Sequence, residues 1–506
     1  MKLNKFLIFG LAGAAMAVNS SCTTEWLEVL PNTQETIEVY YTTDAAIQEA
    51  VIAAYDPLHW FDYANNYTAI NLYSDMMTDQ FYPGGNDVND MSMWKAMFNF
   101  RINPTQVLDC NYSNAYSGVK RCNDALYYMN NYDIADMTEA NRKYYEAQCR
   151  VLRVFYYNQL WHWWGNIVYY TENLTGDFLG TQYTADEVYE FMITDLEEVI
   201  AMNALKWKSA TADLGRITTP MVYMLYTEIV MYQNDKARYP QALNYMKEII
   251  NSSEYTLYPD FAAIWDVDHE WCDESIYEIN YSDYLGSRNW SWGGTAGGTV
   301  VPKFVGARGY TGADGIHADG WGFCTVRQSA YDSYEDGDLR RDPSIWTPEP
   351  GSYQIGYQDT GHFIGKYAPI QGGNAGQIAD ADLNYNNNLR LYRYAEVLLN
   401  AAELVIDGAG SGDAQAWLDQ VRARAGLGSV TATKENIIKE RALEFLGEGK
   451  RYWDLIRTGL APSVLVPDNE LADGSRLGSY TDNKKYLPFP QSEIDQAHGT
   501  ITQNPY

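Results

Sequence analysis

The sequence predicts a mainly α-helical protein in which an irregular, loop-rich lobe is inserted into a helical-repeat scaffold. Two observations lead to this prediction. Apolar residues recur at helical spacing through residues 44–254 and again through 389–506, whereas residues 255–388 lose that period and are rich in Gly, Asn, Asp and aromatic residues. The helical segments are short and separated by brief polar breaks, which is typical of helix pairs stacked in series.

The N-terminus has the order of a secretory signal over residues 1–21, with two lysines, an apolar run and then small residues. The apolar run is shorter than the ~20 residues that a membrane-spanning helix needs. Cys22 follows small residues, as at the sites where bacterial lipoproteins are cleaved and acylated, although Asn19 replaces the usual aliphatic residue. Ordinary cleavage with Cys22 as an incidental thiol is the alternative. We predict a lipid anchor at Cys22, followed by a tether over residues 22–43.

Residues 44–254 carry the first part of the scaffold. The first predicted helix is capped by Asp44 and stops at Pro57. The third ends in a tryptophan-rich apolar stripe (Trp161, Trp163 and Trp164), which we assign to the core. A tetratricopeptide style of stacking fits these lengths better than a single bundle. The predicted helices are 44–58, 113–131, 138–165, 184–202, 217–233 and 239–253.

Three further predicted helices, 389–407, 413–426 and 433–459, complete the scaffold. In the stretch ERALEFLGEGKRYWDLIR we expect Arg441 to pair with Glu444 along one helix face, and Arg451 to pair with Asp454. The apolar residues between them enter the core, and the two glycines permit close packing. This stretch is therefore predicted to be structural and not a binding site.

Charge and cysteine content narrow the possible partners. With 36 Lys+Arg against 66 Asp+Glu the net charge is −30, which disfavours nucleic acid as a partner. A local basic patch, such as Lys303 with Arg308 and Arg327, would still allow an anionic ligand to bind. A Cys110–Cys122 disulfide is possible from the sequence, but buried free thiols are the preferred interpretation.

We expect no catalytic residues, no metal and no cofactor. The sequence contains no G-x-S-x-G, H-E-x-x-H or G-x-x-x-x-G-K-[ST] motif, and its six histidines lack metal-ligand spacing. Calcium is conceivable at 312–320 or 334–342, yet neither stretch has EF-hand spacing. Loop salt bridges are the preferred interpretation for the charged residues of the second stretch, namely Asp336, Asp338, Arg340 and Arg341.

Several stretches resemble a known family. Residues 416–459 (AWLDQVRARAGLGSVTATKENIIKERALEFLGEGKRYWDLIRTG), 389–404 (LRLYRYAEVLLNAAEL) and 486–506 (YLPFPQSEIDQAHGTITQNPY) resemble the C-terminal signature of the SusD/RagB lipoproteins of the Bacteroidetes outer membrane. The resemblance implies four tetratricopeptide-like helix pairs plus an irregular lobe. It also implies a cell-surface protein that captures oligosaccharides, or peptides in some members, as a lid over a SusC-type TonB-dependent transporter, without chemistry of its own.

Glycan capture would use the loops. A sugar ring stacks its C–H face on an aromatic plane, and its hydroxyls form hydrogen bonds with short polar side chains. Two loop regions combine aromatic rings with such residues: the first is 79–94, and the second contains the stretches 284–292 and 319–323. Packing against the scaffold is the alternative for each ring. The candidate glycan-binding residues are Tyr82, Asn86, Trp94, Arg288, Asn289, Trp290, Trp292 and Trp321.

The function expected from the sequence is therefore a lipid-anchored, glycan-binding surface protein that works with a SusC-type transporter. The alternative is a peptide-binding or purely structural subunit of such an importer. Within the second loop region, Trp290 and Trp292 alternate as residues of a strand do, so we expect them to face the same way.

Overall fold

The computed structural model describes residues 37–62, 69–284, 288–290, 297–376 and 379–506. Helices dominate these ranges, which confirms the predicted mainly α class. The leader, Cys22 and most of the tether lie outside the described residues. Among the helices in these ranges, none is both long and apolar enough to cross a membrane.

The helices are numbered in chain order. The first nine are α1 Ile37–Tyr40, α2 Asp44–Tyr55, α3 Leu72–Asp75, α4 Ser92–Phe98, α5 Asp109–Asn131, α6 Glu139–Trp164, α7 Ala185–Met202, α8 Thr219–Gln233 and α9 Tyr239–Ser252. The others are α10 Val301–Val305, α11 Gln328–Asp332, α12 Arg341–Ser344, α13 Tyr394–Ile406, α14 Ala414–Arg424, α15 Lys434–Glu444, α16 Arg451–Arg457, α17 Ala461–Val464 and α18 Gln491–Gln496. Short 3₁₀ turns occupy Asp56–His59, Thr211–Asp213, Ala263–Trp265, Val267–His269, Ala381–Leu383 and Asp482–Lys484.

Threonine side chains cap α2, α6 and α7. Thr43, and not the predicted Asp44, is the N-cap of α2, because its Oγ1 accepts a hydrogen bond from the Ala46 N–H at 3.2 Å. Thr184 and Glu187 form a capping box at the start of α7, where each side chain accepts a hydrogen bond from the other residue's backbone N–H.

The long helices pack in the order of the chain. Helix α5 contacts α6, α6 contacts α7, α7 contacts α8 and α8 contacts α9. Helix α9 then packs on α13, although residues 253–393 separate them in sequence, and α13 packs on α14 and α15. The C-terminal helices therefore continue the array that the N-terminal helices begin, and the irregular region branches from it.

The described residues contain four antiparallel two-stranded ladders, and three of them include strands of the irregular region. They pair β1 Phe81–Gly84 with β5 Phe323–Val326, β2 Ile167–Val168 with β3 Gln182–Tyr183, β4 Ser275–Ile279 with β8 Leu389–Arg393, and β6 Ile345–Trp346 with β7 Phe363–Ile364. The predicted helix 389–407 was wrong at its start, because residues 389–393 form β8 against β4 before α13 begins. Tertiary pairing overrides the local helical pattern there.

The core assignment of Trp161, Trp163 and Trp164 is confirmed, since each is 1% exposed. The C-terminal motif is also interior, but its predicted pairs were wrong. Arg441 Nε donates to Asp454 Oδ2 at 2.8 Å, and Arg451 pairs with Asp79. Arg441 and Arg451 reach carboxylates of other segments, and Glu444 is paired with other arginines instead.

Glu444 is the centre of a buried ionic cluster that joins the lobe to the C-terminal helices. Its carboxylate contacts Arg340 at 3.2 Å, Arg393 at 3.1 Å and also Arg424. Burial alone would raise the pKa of Glu444, but Arg424, Arg393 and Arg340 outweigh it and hold the pKa well below its usual range. The structural interpretation of the motif follows from this cluster.

Cys110 and Cys122 both carry free thiols. They lie on the same helix, α5, whose rise of ~1.5 Å per residue separates them by about 18 Å along its axis. A disulfide requires Cα atoms within ~7 Å, so this pair cannot be bridged in this fold.

Candidate functional site

Two tryptophans form an aromatic pair on the surface of the lobe. The Trp290 side chain is 53% exposed, and Trp321 is half-buried beside it. Their ring centroids lie 5.9 Å apart, with the planes inclined by 37°. An exposed pair of indoles offers flat apolar faces to a ligand, as stacking on a sugar requires.

A column of rings supports Trp321 from below. Phe304 meets Trp321 edge-on, with centroids 6.2 Å apart, and stacks on Phe323 at 4.3 Å. Trp94 lies against both phenylalanines in the core. The indole of Trp321 is therefore held at the end of a continuous aromatic stack, which fixes its position before any ligand arrives.

The backbone around Trp321 is held by hydrogen bonds to the backbone of residues 303–307. The Trp321 N–H donates to the Lys303 carbonyl at 2.7 Å, and Gly322 N–H donates to the Gly306 carbonyl at 2.8 Å. Gly320 passes so close to Gly306 that a Cβ at position 320 would lie 2.3 Å from its backbone. Only glycine permits this approach, which places Trp321 at the surface.

Trp290 is fastened by the loop that precedes β8. Its backbone N–H donates to Asp380 Oδ2 at 2.9 Å, and the Asp380 N–H donates to the Arg288 carbonyl at 3.2 Å. Asn384 adds a hydrogen bond from Nδ2 to the same carbonyl at 2.9 Å. Two loops distant in sequence are thus joined directly beneath the exposed ring.

Charged side chains lie beside the aromatic pair. Lys303 Nζ lies 2.8 Å from Asp319 Oδ2 and 3.2 Å from Asp382 Oδ1. Burial alone would lower the pKa of Lys303, but Asp319 and Asp382 outweigh it and raise that pKa. Both carboxylates are well exposed, so they can accept hydrogen bonds from ligand hydroxyls while Lys303 stays charged.

Strand pairing brings the two predicted loop regions together. In the β1–β5 ladder Gly84 is opposite Phe323, and the Gly85 N–H donates to the Gly322 carbonyl at 2.8 Å. Asn86 follows directly and is exposed, with its Nδ2 donating to Asp87 at 3.1 Å. The first region therefore borders the Trp321 loop, which the sequence did not predict.

Three predicted site residues lie in the interior, namely Tyr82, Trp94 and Arg288, each 0% exposed. The prediction that they contact a ligand at the surface is therefore wrong. Tyr82 belongs to β1, where its hydroxyl donates to Asp468 and accepts from Arg327. The Arg288 guanidinium forms an ion pair with buried Asp62 at 2.7 Å.

The other predicted residues divide into two groups. Asn289 is half-buried next to Trp290, whereas Trp292 lies outside the described residues. Trp290 itself sits in a turn and not in a strand, so the argument from strand alternation does not apply to it. Lys303, Asp319, Asp380 and Asp382 also adjoin the site and were not predicted as its neighbours. Tyr284, which is 77% exposed, belongs to the predicted second region but was not singled out.

The basic patch considered as an exception to the charge argument does not form. Lys303 contacts Asp319, Arg308 lies 3.5 Å from Asp90, and Arg327 is paired with Asp468 and Glu470. Because these three cations are already paired with carboxylates, they form no positive surface for an anionic ligand.

The two stretches considered for calcium use their carboxylates internally. Asp314 accepts hydrogen bonds from its own loop, and Asp338 forms an ion pair with buried Arg340 at 2.7 Å. Arg341 pairs with Asp342. In the described part of the chain, no group of three His, Cys, Asp or Glu residues is arranged to hold a metal ion.

Comparison with known proteins identifies the fold. A surface glycan-binding protein A from Bacteroides thetaiotaomicron, solved with laminarihexaose, is 50% identical and superposes with a TM-score of 0.87, over 92% of this chain and 100% of that one. The Bacteroides uniformis counterpart is 44% identical, with a TM-score of 0.83 over 92% of this chain and 100% of its own. A laminarin-binding SusD-like protein is 28% identical, with a TM-score of 0.81 over 92% and 100% of the two chains.

Sequence comparisons agree with this result. Residues 344–506 match the model of the SusD family. A SusD-like protein, P2, from Formosa agariphila is 26% identical over 71% of this chain and 73% of its own. Since proteins of this kind bind glycans and are not catalysts, the expectation of no enzymatic activity holds for the family as a whole. The chain belongs to the SusD family of non-catalytic, glycan-binding proteins.

Proposed function

We propose that this chain captures neutral oligosaccharides at the surface formed by Trp290 and Trp321. The observation that carries the proposal is the exposed indole pair, 5.9 Å between centroids, bordered by the carboxylates of Asp319 and Asp382. Sugar rings stack on the indoles, and their hydroxyls donate to the carboxylates. Asn86 and Asn289 border the same surface and extend its hydrogen-bonding capacity.

Glucans of the laminarin type are the ligands we favour. The protein from Bacteroides thetaiotaomicron solved with laminarihexaose is 50% identical to this chain, which supports the choice. The charges agree with it as well, because a neutral polymer meets no repulsion from a chain of net charge −30 and needs no free cation.

The captured glycan passes to a SusC-type TonB-dependent transporter, and the protein is held at the outer membrane by a lipid on Cys22. Membership of the SusD family and the leader that ends at Cys22 support this step. Mass spectrometry of the native protein tests the anchor, and an unmodified Cys22 would overturn it. Co-purification from membranes tests the partner, and a preparation free of any SusC-type transporter would overturn that part.

Calorimetry against laminarihexaose, cellohexaose, xylohexaose and mannohexaose tests the binding site. We expect laminarihexaose to bind and the Trp290→Ala and Trp321→Ala variants to lose at least about tenfold in affinity, since truncating a central aromatic contact costs about 2 kcal/mol or more. Tyr127→Ala is the matched control, because Tyr127 is equally exposed, at 53%, but lies on the scaffold helix α5. Binding of peptides without any of the glycans would favour the peptide-binding alternative.

A further inference from the structure

A groove of ≈ 750 Å³ lies on the helical scaffold, between the β2–β3 hairpin and helix α7. Its lining comes from residues 150–198, so it shares no residue with the Trp290 and Trp321 surface on the lobe. We call it the scaffold groove. Its size is that of a pocket for a small organic ligand or a few sugar units.

Aromatic rings form one wall of the scaffold groove. Phe191 of α7 is 36% exposed and lies against Tyr169, with centroids 5.0 Å apart, and against the edge of Tyr183 at 5.1 Å. Tyr169 is backed by Tyr157, 4.1 Å behind it. The wall is therefore rigid on its inner side and presents the Phe191 ring to solvent.

Polar groups lie beside Phe191 on the same face of α7 and on the facing helix α6. Arg150 Nε donates to Asp195 Oδ1 at 2.5 Å, and Arg153 donates to the other oxygen of Asp195 at 2.9 Å. Arg150 also pairs with Glu198, so two carboxylates neutralise the two cations that line the groove. The Glu198 carboxylate is 61% exposed, and the Thr194 hydroxyl is exposed one turn away on the same helix face. These groups suit ligand hydroxyls and do not suit a charged ligand.

The walls are held in place without a ligand. Arg153 Nη1 donates to the Thr171 carbonyl at 3.0 Å, and Asn173 Nδ2 donates to Asp124 Oδ1 at 2.5 Å. The Tyr157 hydroxyl donates to the Tyr170 carbonyl at 2.7 Å and accepts from the Tyr170 N–H at 2.9 Å. The hairpin is thus fastened to α5 and α6, so little conformational entropy is lost when a ligand binds.

We infer that the scaffold groove is a second carbohydrate site, for a neutral oligosaccharide. A sugar ring stacks on Phe191, and its hydroxyls form hydrogen bonds with Thr194 and Glu198. This second site is independent of the site proposed at Trp290 and would act in addition to it. Two sites on one chain would let a long polysaccharide engage both at once, which raises the apparent affinity for a polymer above that for a short oligomer.

Hydrogen exchange tests the inference, measured on the full chain carrying both Trp290→Ala and Trp321→Ala. The probes are the four hexasaccharides used for calorimetry. We expect at least one of them to slow amide exchange in residues 167–198 severalfold. Adding Thr194→Trp, which fills the groove, abolishes the slowing, whereas Ala201→Trp, an indole two turns further along α7 and outside the groove, leaves it.

The outcomes separate this inference from the proposed function. Slower exchange around Trp321 in the wild-type chain, with no change over 167–198 for any probe, overturns the scaffold groove and leaves the lobe site intact. Slowing over 167–198 with none near Trp321 supports the groove and overturns the lobe site. If Thr194→Trp does not fold, Phe191→Ala replaces it, and slowing that survives this variant overturns the inference.

Discussion

Asp380 holds Trp290 through the backbone, since its Oδ2 atom accepts a hydrogen bond from the Trp290 N–H at 2.9 Å. The carboxylate comes from the loop before β8, and the indole comes from a segment that follows β4. The exposed ring of Trp290 therefore depends for its position on a residue that need not touch the ligand.

We expect Asp380→Ala to weaken glycan binding by up to about tenfold, because losing one hydrogen bond of about 1 kcal/mol lets the Trp290 segment move. Asp380→Asn keeps an acceptor oxygen and should retain most of the affinity. Calorimetry with laminarihexaose measures both, and the thermal midpoint should change little in either variant. Equal losses in the two variants would contradict a positioning role.

Gly320→Ala should impair the other half of the aromatic pair. An added Cβ would lie 2.3 Å from Gly306, so the two backbone segments must separate, which costs about 1–3 kcal/mol of stability. Trp321, the next residue, moves with them, and we expect glycan affinity to fall at the same time. Gly428→Ala is the control, because no atom lies within 4 Å of its added Cβ. Unchanged affinity in Gly320→Ala would show that Trp321 is positioned by its ring contacts alone.

The long helices of the first part could be predicted because their signal is local. An apolar stripe, a capping threonine and a terminal glycine all lie within α6 and its flanking residues, Thr138 and Gly165. The short strands could not, since Phe81–Gly84 contains Pro83 and Gly84 and resembles a loop on its own. It becomes a strand because Phe323–Val326 pairs with it from far along the chain.

The same distinction explains the site. Trp94 and Trp290 were both assigned to loops from the sequence, yet Trp94 lies in α4 and is 0% exposed, whereas Trp290 is 53% exposed. Trp94 is buried because Phe304 and Phe323 pack on it, and those contacts have no trace in the residues around position 94. Asp380 and Asp382 were recognised only as part of a polar loop, because their partners, Trp290 and Lys303, come from other segments.

Glu444→Gln should destabilise the protein strongly. The change removes the charge that Arg340, Arg393 and Arg424 share in the interior, and breaking a buried ionic cluster costs about 3–5 kcal/mol. Urea denaturation measures the loss. Glu335→Gln is the matched control, because Glu335 pairs with Arg422 from a position that is 44% exposed, where an ion pair contributes about 1 kcal/mol or less.

The contribution of Glu444 should also depend on pH in one direction. Its folded-state pKa lies below the ordinary value of 4.5, so its stabilisation is complete above that value and declines as the pH falls below it. The difference in stability between the wild type and Glu444→Gln should therefore be constant between about pH 6 and 8, and it should shrink below about pH 4.5. A difference that grows on acidification would contradict the assignment.

Glu270, at the edge of the β4–β8 ladder, has a pKa that is raised and not lowered. Burial raises the pKa of Glu270 from 4.5 to about 7, although a hydrogen bond from the Asn388 N–H and the charge of Arg390 act against it, while Glu278 adds to it. The folded protein therefore binds a proton between these two values where the unfolded chain has released it. Stability must fall as the pH rises through this window.

Glu270→Gln should remove this penalty while keeping an acceptor for the Asn388 N–H. Below about pH 4.5 the wild type and the variant should be equally stable, and above about pH 7 the variant should be more stable by about 3 kcal/mol. Urea midpoints measured in steps from pH 4.5 to 8 check the trend. The control is Glu254→Gln, which changes an exposed carboxylate and should run parallel to the wild type. A variant less stable than the wild type at pH 8 would mean that the Glu270 charge is favourable in the folded state, because its ion pair with Arg390, at 4.0 Å, outweighs the cost of burial.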